Sequence, residues 1–243
     1  MPRPRKEHPP EPEAAADVAA AELADEQRVR QAIFDAVLSH KLPPGTRLVE
    51  TPLCEAFGVN RSLLRRVFVR LANEKVIELQ HNRGASVAQP SQQEMREVFE
   101  VRRLIEGGVV RQLCRCARAA DFKGLRALVA DEQKAYNAGD RSRWIRLSGE
   151  YHLAAARALG NAELESILGM LVARTTLMIA LYHVAGRSVC SFEEHAAIVD
   201  AMAAGDAERA VALMDRHLAD AELKLRREPE AADVDLMALF KPA

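Results

Sequence analysis

Hydrophobic positions recur every three or four residues along most of this chain, and the places where that spacing breaks mark its architecture. In the stretch 51–57, Leu53, Ala56 and Phe57 fall on one helical face, with Thr51 as N-cap, Pro52 at the favoured first helical position and Gly58 as a stop. Asn60 is a strong N-cap for a second stretch, 61–73, whose Leu64, Val67, Phe68 and Leu71 form one buried stripe. The helical period then gives way to two short β-leaning runs, 76–79 and 85–88, joined by a polar and basic turn through residues 80–84. Helix, tight turn, helix and hairpin in this order predict a winged helix-turn-helix, the module that lays its second helix in the major groove of DNA.

From residue 91 to about 226 the pattern is helical throughout. Ser91 and Glu94 make a capping box ahead of Met95, Val98, Phe99, Val101, Leu104 and Ile105. Further helices are expected over 121–136, from Trp144 through Tyr151 to Leu159 with Gly160 as stop, and from Asn161 to Leu181. A loop at 185–190 precedes a second capping box, Ser191 with Glu194, and Asp206 opens the last helix to Leu225. Six helices with short connections predict an all-α antiparallel bundle, which places ligand sites between facing helices. The fold class is therefore mainly α, with the winged head at 25–89 and an effector-binding and dimerisation bundle at 90–226. Residues 1–24, with five prolines and scattered charges, are expected as a disordered tail, and residues 227–243 as a flexible one.

Charge sharpens this division. A formal net charge of −1 is a poor signature for a protein whose whole surface binds nucleic acid. Residues 25–89, however, carry ten Lys/Arg against seven Asp/Glu, while residues 90–226 carry nineteen of each sign. A metabolite-independent DNA-packaging protein is disfavoured on these numbers. There is no secretory leader pattern and no run of 18 uncharged apolar residues, so the expected location is the cytoplasm, without membrane contact. Cys54, Cys114, Cys116 and Cys190 lack zinc-ribbon spacing and are expected to be buried reduced thiols.

Two groups of residues carry candidate chemistry. Arg61, Arg65, Arg66 and Arg70 crowd the first ten residues of the second head helix, with no acidic residue among them. Guanidinium forks suit guanine edges and phosphate oxygens. In the bundle, His152, His195 and His217 sit among apolar residues on three different helices, where converging imidazoles would hold a divalent metal with positions left open.

The head resembles the DNA-binding domain of the GntR family of bacterial transcriptional regulators. The resemblance is carried by Pro44-Gly45, Leu48 with Glu50, Gly58-Val59-Asn60-Arg61, Arg65, Arg70-Leu71 and Asn82-Arg83-Gly84. It implies Thr51, Asn60, Arg61, Ser62, Arg65, Arg83 and Gly84 as residues at DNA. Three positions depart from the family pattern: Leu63 replaces a usual proline, Arg66 a usual glutamate, and Phe68 stands near a usual leucine. Arg66 puts a positive charge beside the DNA face and joins the candidate set.

Residues 91–226 resemble the effector domain of the FadR subfamily. Its metal-binding members carry D-x-x-x-H, E-H-x-x-I and H-L, matched here by His152, by Glu194-His195 with Ile198, and by His217-Leu218. Ser148 stands where that pattern has the aspartate, so a divalent ion, zinc or similar, would lack one oxygen ligand, and a carboxylate restored there is expected to tighten it. The resemblance also implies Arg102 as an effector contact; Ser148 and Arg174 are further candidates, and a small carboxylate is the expected effector. Together these imply a homodimeric, ligand-responsive regulator of a palindromic double-stranded operator, a repressor and not an enzyme. The rival from another class is a three-histidine metal-dependent hydrolase with an accessory nucleic-acid-binding domain. It is disfavoured because there is no H-E-x-x-H, no G-x-S-x-G and no placed general base beside the histidines.

Overall fold

The structure, a computed structural model, describes residues 12–80, 84–116, 119–182, 192–225 and 234–241. The head opens with α1 (Pro12–Leu38), followed by β1 (Arg47–Leu48), α2 (Glu50–Phe57), α3 (Arg61–Asn73), β2 (Ile77–Gln80) and β3 (Gly84–Val87). The three strands form an antiparallel sheet in the order β1-β3-β2, with Ser86 opposite both Arg47 and Glu78. β1 is too short to leave an alternating signature, and only its pairing with β3 makes it a strand.

The bundle comprises α4 (Gln92–Cys116), α5 (Ala119–Asn137), α6 (Arg141–Arg157), α7 (Ala162–Tyr182), α8 (Phe192–Ala203) and α9 (Ala207–Leu223). Its first capping box is present: the Ser91 amide donates to Glu94 Oε2 at 2.9 Å, and the Glu94 amide donates to Ser91 Oγ at 3.1 Å. Ser191 and the loop at 185–190 lie outside the described residues. α5 starts earlier than the sequence pattern indicates. Asp140 marks the start of α6, accepting the Arg143 amide at 3.0 Å.

Both ends differ from expectation. The chain is helical from Pro12 onward, because the last of the early prolines sits where a helix tolerates it and an alanine-rich run of good helix formers follows. Near the other end, α10 (Leu236–Phe240) is capped by Asp235, which accepts from Met237 and Ala238 amides at 3.0 Å each. Leu236 is buried and Phe240 lies 4.8 Å from Phe57 of α2, ring centre to ring centre, so a short apolar segment docks on the head. α2 likewise begins one residue before Thr51, with Val49 at its N-cap and no side-chain cap.

One apolar core runs from the head into the bundle. Val29 and Ile33 of α1, Leu64, Val67, Phe68 and Leu71 of α3, and Ile77 and Val87 of the sheet pack with Met95 and Val98 of α4 and Leu177, Met178 and Leu181 of α7. Burial of such side chains contributes roughly 1.5–3 kcal/mol each, so head and bundle are joined by packing as well as by the short link at Gln89 and Pro90. α7 is long and apolar enough to cross a membrane by composition, but half of that stretch is buried within the fold, between α4 and α6. Cys54 and Cys114 are half-buried and Cys116 is exposed, so these thiols are not the buried set expected. Cys190 lies outside the described residues.

Candidate functional site

α3 divides cleanly into two faces. Leu63, Leu64, Val67, Phe68 and Leu71 are buried, while Arg61, Ser62, Arg65, Arg66, Val69 and Arg70 are exposed. Asn60 Oδ1 accepts the Leu63 amide at 2.8 Å. A proline at 63 has no N–H to give, so Leu63 supplies the donor that this cap uses.

The acidic residues absent from α3 are supplied by its neighbours. Arg65 lies in a two-point pair with Glu50 of α2, at 2.8 and 3.1 Å. Arg66 reaches Glu22 at 2.9 Å and Glu26 at 3.2 Å, and Arg70 reaches Glu26 at 2.7 Å, all on α1. Arg61 donates to Thr51 Oγ1 at 3.2 Å. Arg61, Ser62, Arg65 and Val69 therefore form the open face, and Arg66 and Arg70 its edge toward α1. Gly84 opens β3 with φ 83°, and Arg83 lies outside the described residues.

In the bundle the three histidines converge. His152 of α6, His195 of α8 and His217 of α9 are each at most 3% exposed, and one ligand nitrogen from each falls within 4.8 Å of the other two. His195 Nε2 and His217 Nε2 are 3.1 Å apart. Each Nδ1 has its own carboxylate: His152 with Glu106 at 2.5 Å, His195 with Glu132 at 2.7 Å and His217 with Glu194 at 2.8 Å. A carboxylate that accepts the Nδ1–H fixes the tautomer and leaves the Nε2 lone pair outward. With that tautomer on both, His195 and His217 aim lone pairs at each other at a separation suited to two ligands of one cation. This is the observation by which the residues fit a divalent metal.

Electrostatics favour neutral ligands. Burial pushes His152 down to about 3 against the pull of Glu106, and burial together with the His217 imidazole holds His195 well below the usual range. Glu106 shows the opposite balance: burial pushes its carboxyl up, but the Arg102 guanidinium and His152 outweigh this and hold it at about 2. Glu132 has no guanidinium beside it, and burial carries it to about 7. Tyr151 stacks on His195 with ring centres 4.1 Å apart, closing that side of the cluster.

Arg102, 3% exposed, ties this cluster to α7. Its Nε donates to Glu106 Oε1 at 2.7 Å and its Nη1 to Thr175 Oγ1 at 2.7 Å, while Nη2 is buried with no hydrogen-bond partner among the described residues. Arg102, Ser148, His152, Thr175 and His217 line one cavity. It is small, with about 10 Å³ open to the centre of a water molecule, room for a single water. Arg174 does not face it. It pairs with Glu94 at 3.7 Å and lines a separate pocket, with Lys75 and Glu78, where the head meets the bundle.

Comparison with known proteins decides the family. The FCD domain family model matches residues 97–220, just over half of the chain, and the model described as bacterial regulatory proteins, gntR family, matches residues 25–87. The chain belongs to the GntR family. Among its relatives, the galactonate operon transcriptional repressor of Escherichia coli is 25% identical over 203 residues, covering 72% of this chain and 85% of that one. The HTH-type transcriptional regulator LutR of Bacillus subtilis is 25% identical over 204 residues, covering 75% and 92%. A GntR transcriptional regulator of known structure from Rhodococcus sp. RHA1 has the same fold, with a TM-score of 0.69 at 22% identity over 82% of this chain and 96% of that one.

This GntR protein is thus a DNA-binding transcriptional regulator with a winged head and an FCD domain. The structure adds residues to its candidate site that sequence reasoning missed. Glu106 and Thr175 bind Arg102, and Glu106 and Glu132 each bind an imidazole; Glu194, already part of the matched motif, binds the third. Three carboxylates do lie beside the histidines, contrary to the expectation from sequence. Glu106 was within reach of pattern reading, four residues after Arg102 on one helical face. Glu132 was not: it lies on a separate helix, and its partner is 63 positions away.

Proposed function

We propose that this chain is a cytoplasmic homodimeric repressor that binds a palindromic operator and releases it when a small carboxylate enters the FCD cavity beside a divalent cation, zinc or similar. It acts by binding and not by turnover. The observation that carries the reading is Arg102 Nη2, a buried guanidinium donor with no partner at the wall of the histidine cavity. A buried donor left unmade costs about 1–3 kcal/mol, which an incoming carboxylate oxygen recovers.

The small size of the cavity supplies the coupling. Thr175 and Ile179 of α7 line the cavity, whereas Leu177, Met178 and Leu181 of the same helix lie in the core shared with the head. A ligand larger than water must displace α7, and α7 carries the head's footing with it. The DNA-reading set under this proposal is Thr51, Arg61, Ser62 and Arg65, with Arg83 and Gly84 from the wing.

The test begins with mass spectrometry of metals and small acids that co-purify with the protein. Fluorescence anisotropy of an operator fragment is then titrated with short hydroxy and keto acids on metal-loaded protein. A 5- to 150-fold loss of operator affinity is the usual scale of such coupling and is the expected result. No response to any small carboxylate, with metal bound, refutes the effector reading.

A further inference from the structure

Arg174 is a ligand-contact candidate that the proposed function leaves without a task. It faces the pocket where the head meets the bundle. Lys75 and Glu78 reach this pocket from the head, Glu94 from the first turn of α4, and Arg174, Leu177 and Met178 from one face of α7. About 120 Å³ of it is open to the centre of a water molecule, against about 10 Å³ in the histidine cavity, so it has room for a small organic molecule rather than a single water.

The charged groups around the pocket are only partly engaged. Glu94 Oε2 accepts from the Ser91 amide and hydroxyl at 2.9 and 3.1 Å, while Oε1 meets Arg174 at 3.7 Å, beyond hydrogen-bond distance. Among the described residues the Arg174 guanidinium makes no hydrogen bond, and the Lys75 ammonium makes neither a hydrogen bond nor an ion pair. Glu78 Oε1 accepts the Gln89 amide at 3.2 Å and has its second oxygen to spare. Lys75 also sits at φ 60°, the left-handed conformation that glycine adopts freely at a helix end. Lysine there brings an ammonium to the pocket at a backbone cost that glycine would avoid.

Two cations and two carboxylates over buried Leu177 and Met178 suit neither a simple anion nor a simple cation, because each would meet two like charges. A molecule that carries both signs meets opposite charge at both ends. An α-amino acid holds its ammonium and carboxylate on one carbon, and Arg174 and Glu94 stand side by side to receive them. We propose that this pocket binds an aliphatic α-amino acid, its carboxylate on Arg174 and Lys75, its ammonium on Glu94 and Glu78, and its side chain on Leu177 and Met178. Held in this way, the ligand bridges head and bundle. The site is separate from the histidine cavity and depends on neither the metal nor the carboxylate effector.

Calorimetry on the full-length protein tests this with L-leucine as probe. The matched controls are 4-methylpentanoate, which is leucine without its ammonium, and 3-methylbutylamine, which is leucine without its carboxylate. Leucine is expected to bind at least about tenfold more tightly than either, the scale of one hydrogen bond to a charged group. Lys75→Gly keeps the left-handed backbone without strain, and Arg174→Gln breaks only the long pair with Glu94, so both variants should fold, which their melting temperatures check. Each is expected to weaken leucine by about tenfold or more. Leucine affinity unchanged in either variant overturns the proposal. So does 4-methylpentanoate binding as tight as that of leucine and equally sensitive to both substitutions, since the pocket is then a plain anion site. No saturable binding of L-leucine or of the shorter L-valine at millimolar concentration overturns it outright, whatever the histidine cavity binds.

Discussion

Replacing Arg102 by methionine is the sharpest test of how the bundle is held. The guanidinium is 3% exposed and is the main influence opposing the burial of Glu106, which is 1% exposed. Methionine fills much of the same volume but leaves the Glu106 carboxylate facing His152 alone, so its carboxyl should rise toward the neutral range. Removing one partner of a buried ion pair costs about 3–5 kcal/mol, and loss of the Thr175 hydrogen bond adds about 1 kcal/mol. Removing both charges, with Glu106→Gln as the second change, should recover most of the loss, because no uncompensated charge remains. Urea denaturation of the metal-free protein near neutral pH measures all three variants, and the cycle should give a coupling of about 2 kcal/mol or more. A cost for Arg102→Met below about 1 kcal/mol, or additive effects of the two changes, would refute the view that Arg102 is a structural member of the cluster. A version of the protein stable enough to bind operator should also lose its response to the carboxylate.

Other consequences can be measured independently. Arg61→Ala and Arg65→Ala should each cost about 1–3 kcal/mol on the cognate operator and much less on random DNA; equal losses on both would make them phosphate contacts. Glu22→Gln with Glu26→Gln frees Arg66 and Arg70 from α1, and should raise affinity for random DNA and steepen its salt dependence by up to about two phosphate contacts; an unchanged slope would show that these arginines stay off the DNA. For pH, His152 and His195 sit below and Glu106 sits below their ordinary values, so each contributes stability that is whole above the unfolded value and is lost as pH falls through 6.5 and then 4.5 toward the folded values of about 3 and 2. Glu132, raised to about 7, acts in the opposite sense between 4.5 and 7, but two imidazoles outweigh one carboxyl; metal-free protein should lose stability from pH 7 to 5, and a rise in the urea midpoint over that range would contradict the assignment. Gly149→Ala would place a methyl 2.9 Å from Thr176 Oγ1 and 3.2 Å from Val172 Cγ1, forcing α6 and α7 apart, and should lower operator affinity without effector; unchanged affinity and response would remove α7 as the coupling element.

The head was legible because its signals are local. Asn60, Gly58 and the stripe from Leu64 to Leu71 act within one turn of themselves, and the structure has α3 on the bounds that these residues set. What pattern reading missed comes from contacts distant in sequence. Arg66 looked like a free positive charge because Glu22 and Glu26 lie 44 and 40 residues earlier, Glu22 in the segment expected to be disordered and Glu26 just after it. In the bundle, period and caps marked the helices on which the histidines sit, but not that every imidazole meets a carboxylate from another helix. Arg102 was favoured over Arg174 only by the resemblance, since by local pattern each is an arginine in a helix with apolar neighbours. Only packing sends one to the cavity and the other to the junction with the head.

The two arginines also explain how one helix can serve both halves of the molecule. α7 carries Thr175 toward Arg102 and Arg174 toward Glu94 at adjacent positions, so its two faces are pinned to α4 at two heights. Movement at the cavity therefore cannot be absorbed by sliding α7 alone, because the Glu94 end of α4 lies directly after the wing. In the structure Nη2 of Arg102 lacks a partner among the described residues, while Leu177, Met178 and Leu181 pack in the core shared with the head. On the proposed reading, opening the cavity would reverse this balance: the donor would gain a carboxylate oxygen, and the packing against the head would be strained. The two costs are of the same size, about 1–3 kcal/mol for an unmade buried hydrogen bond and a similar amount for a partly exposed aliphatic side chain. Under the proposed function, a ligand that prefers the opened arrangement by a few kcal/mol would then be enough to change which arrangement meets the operator.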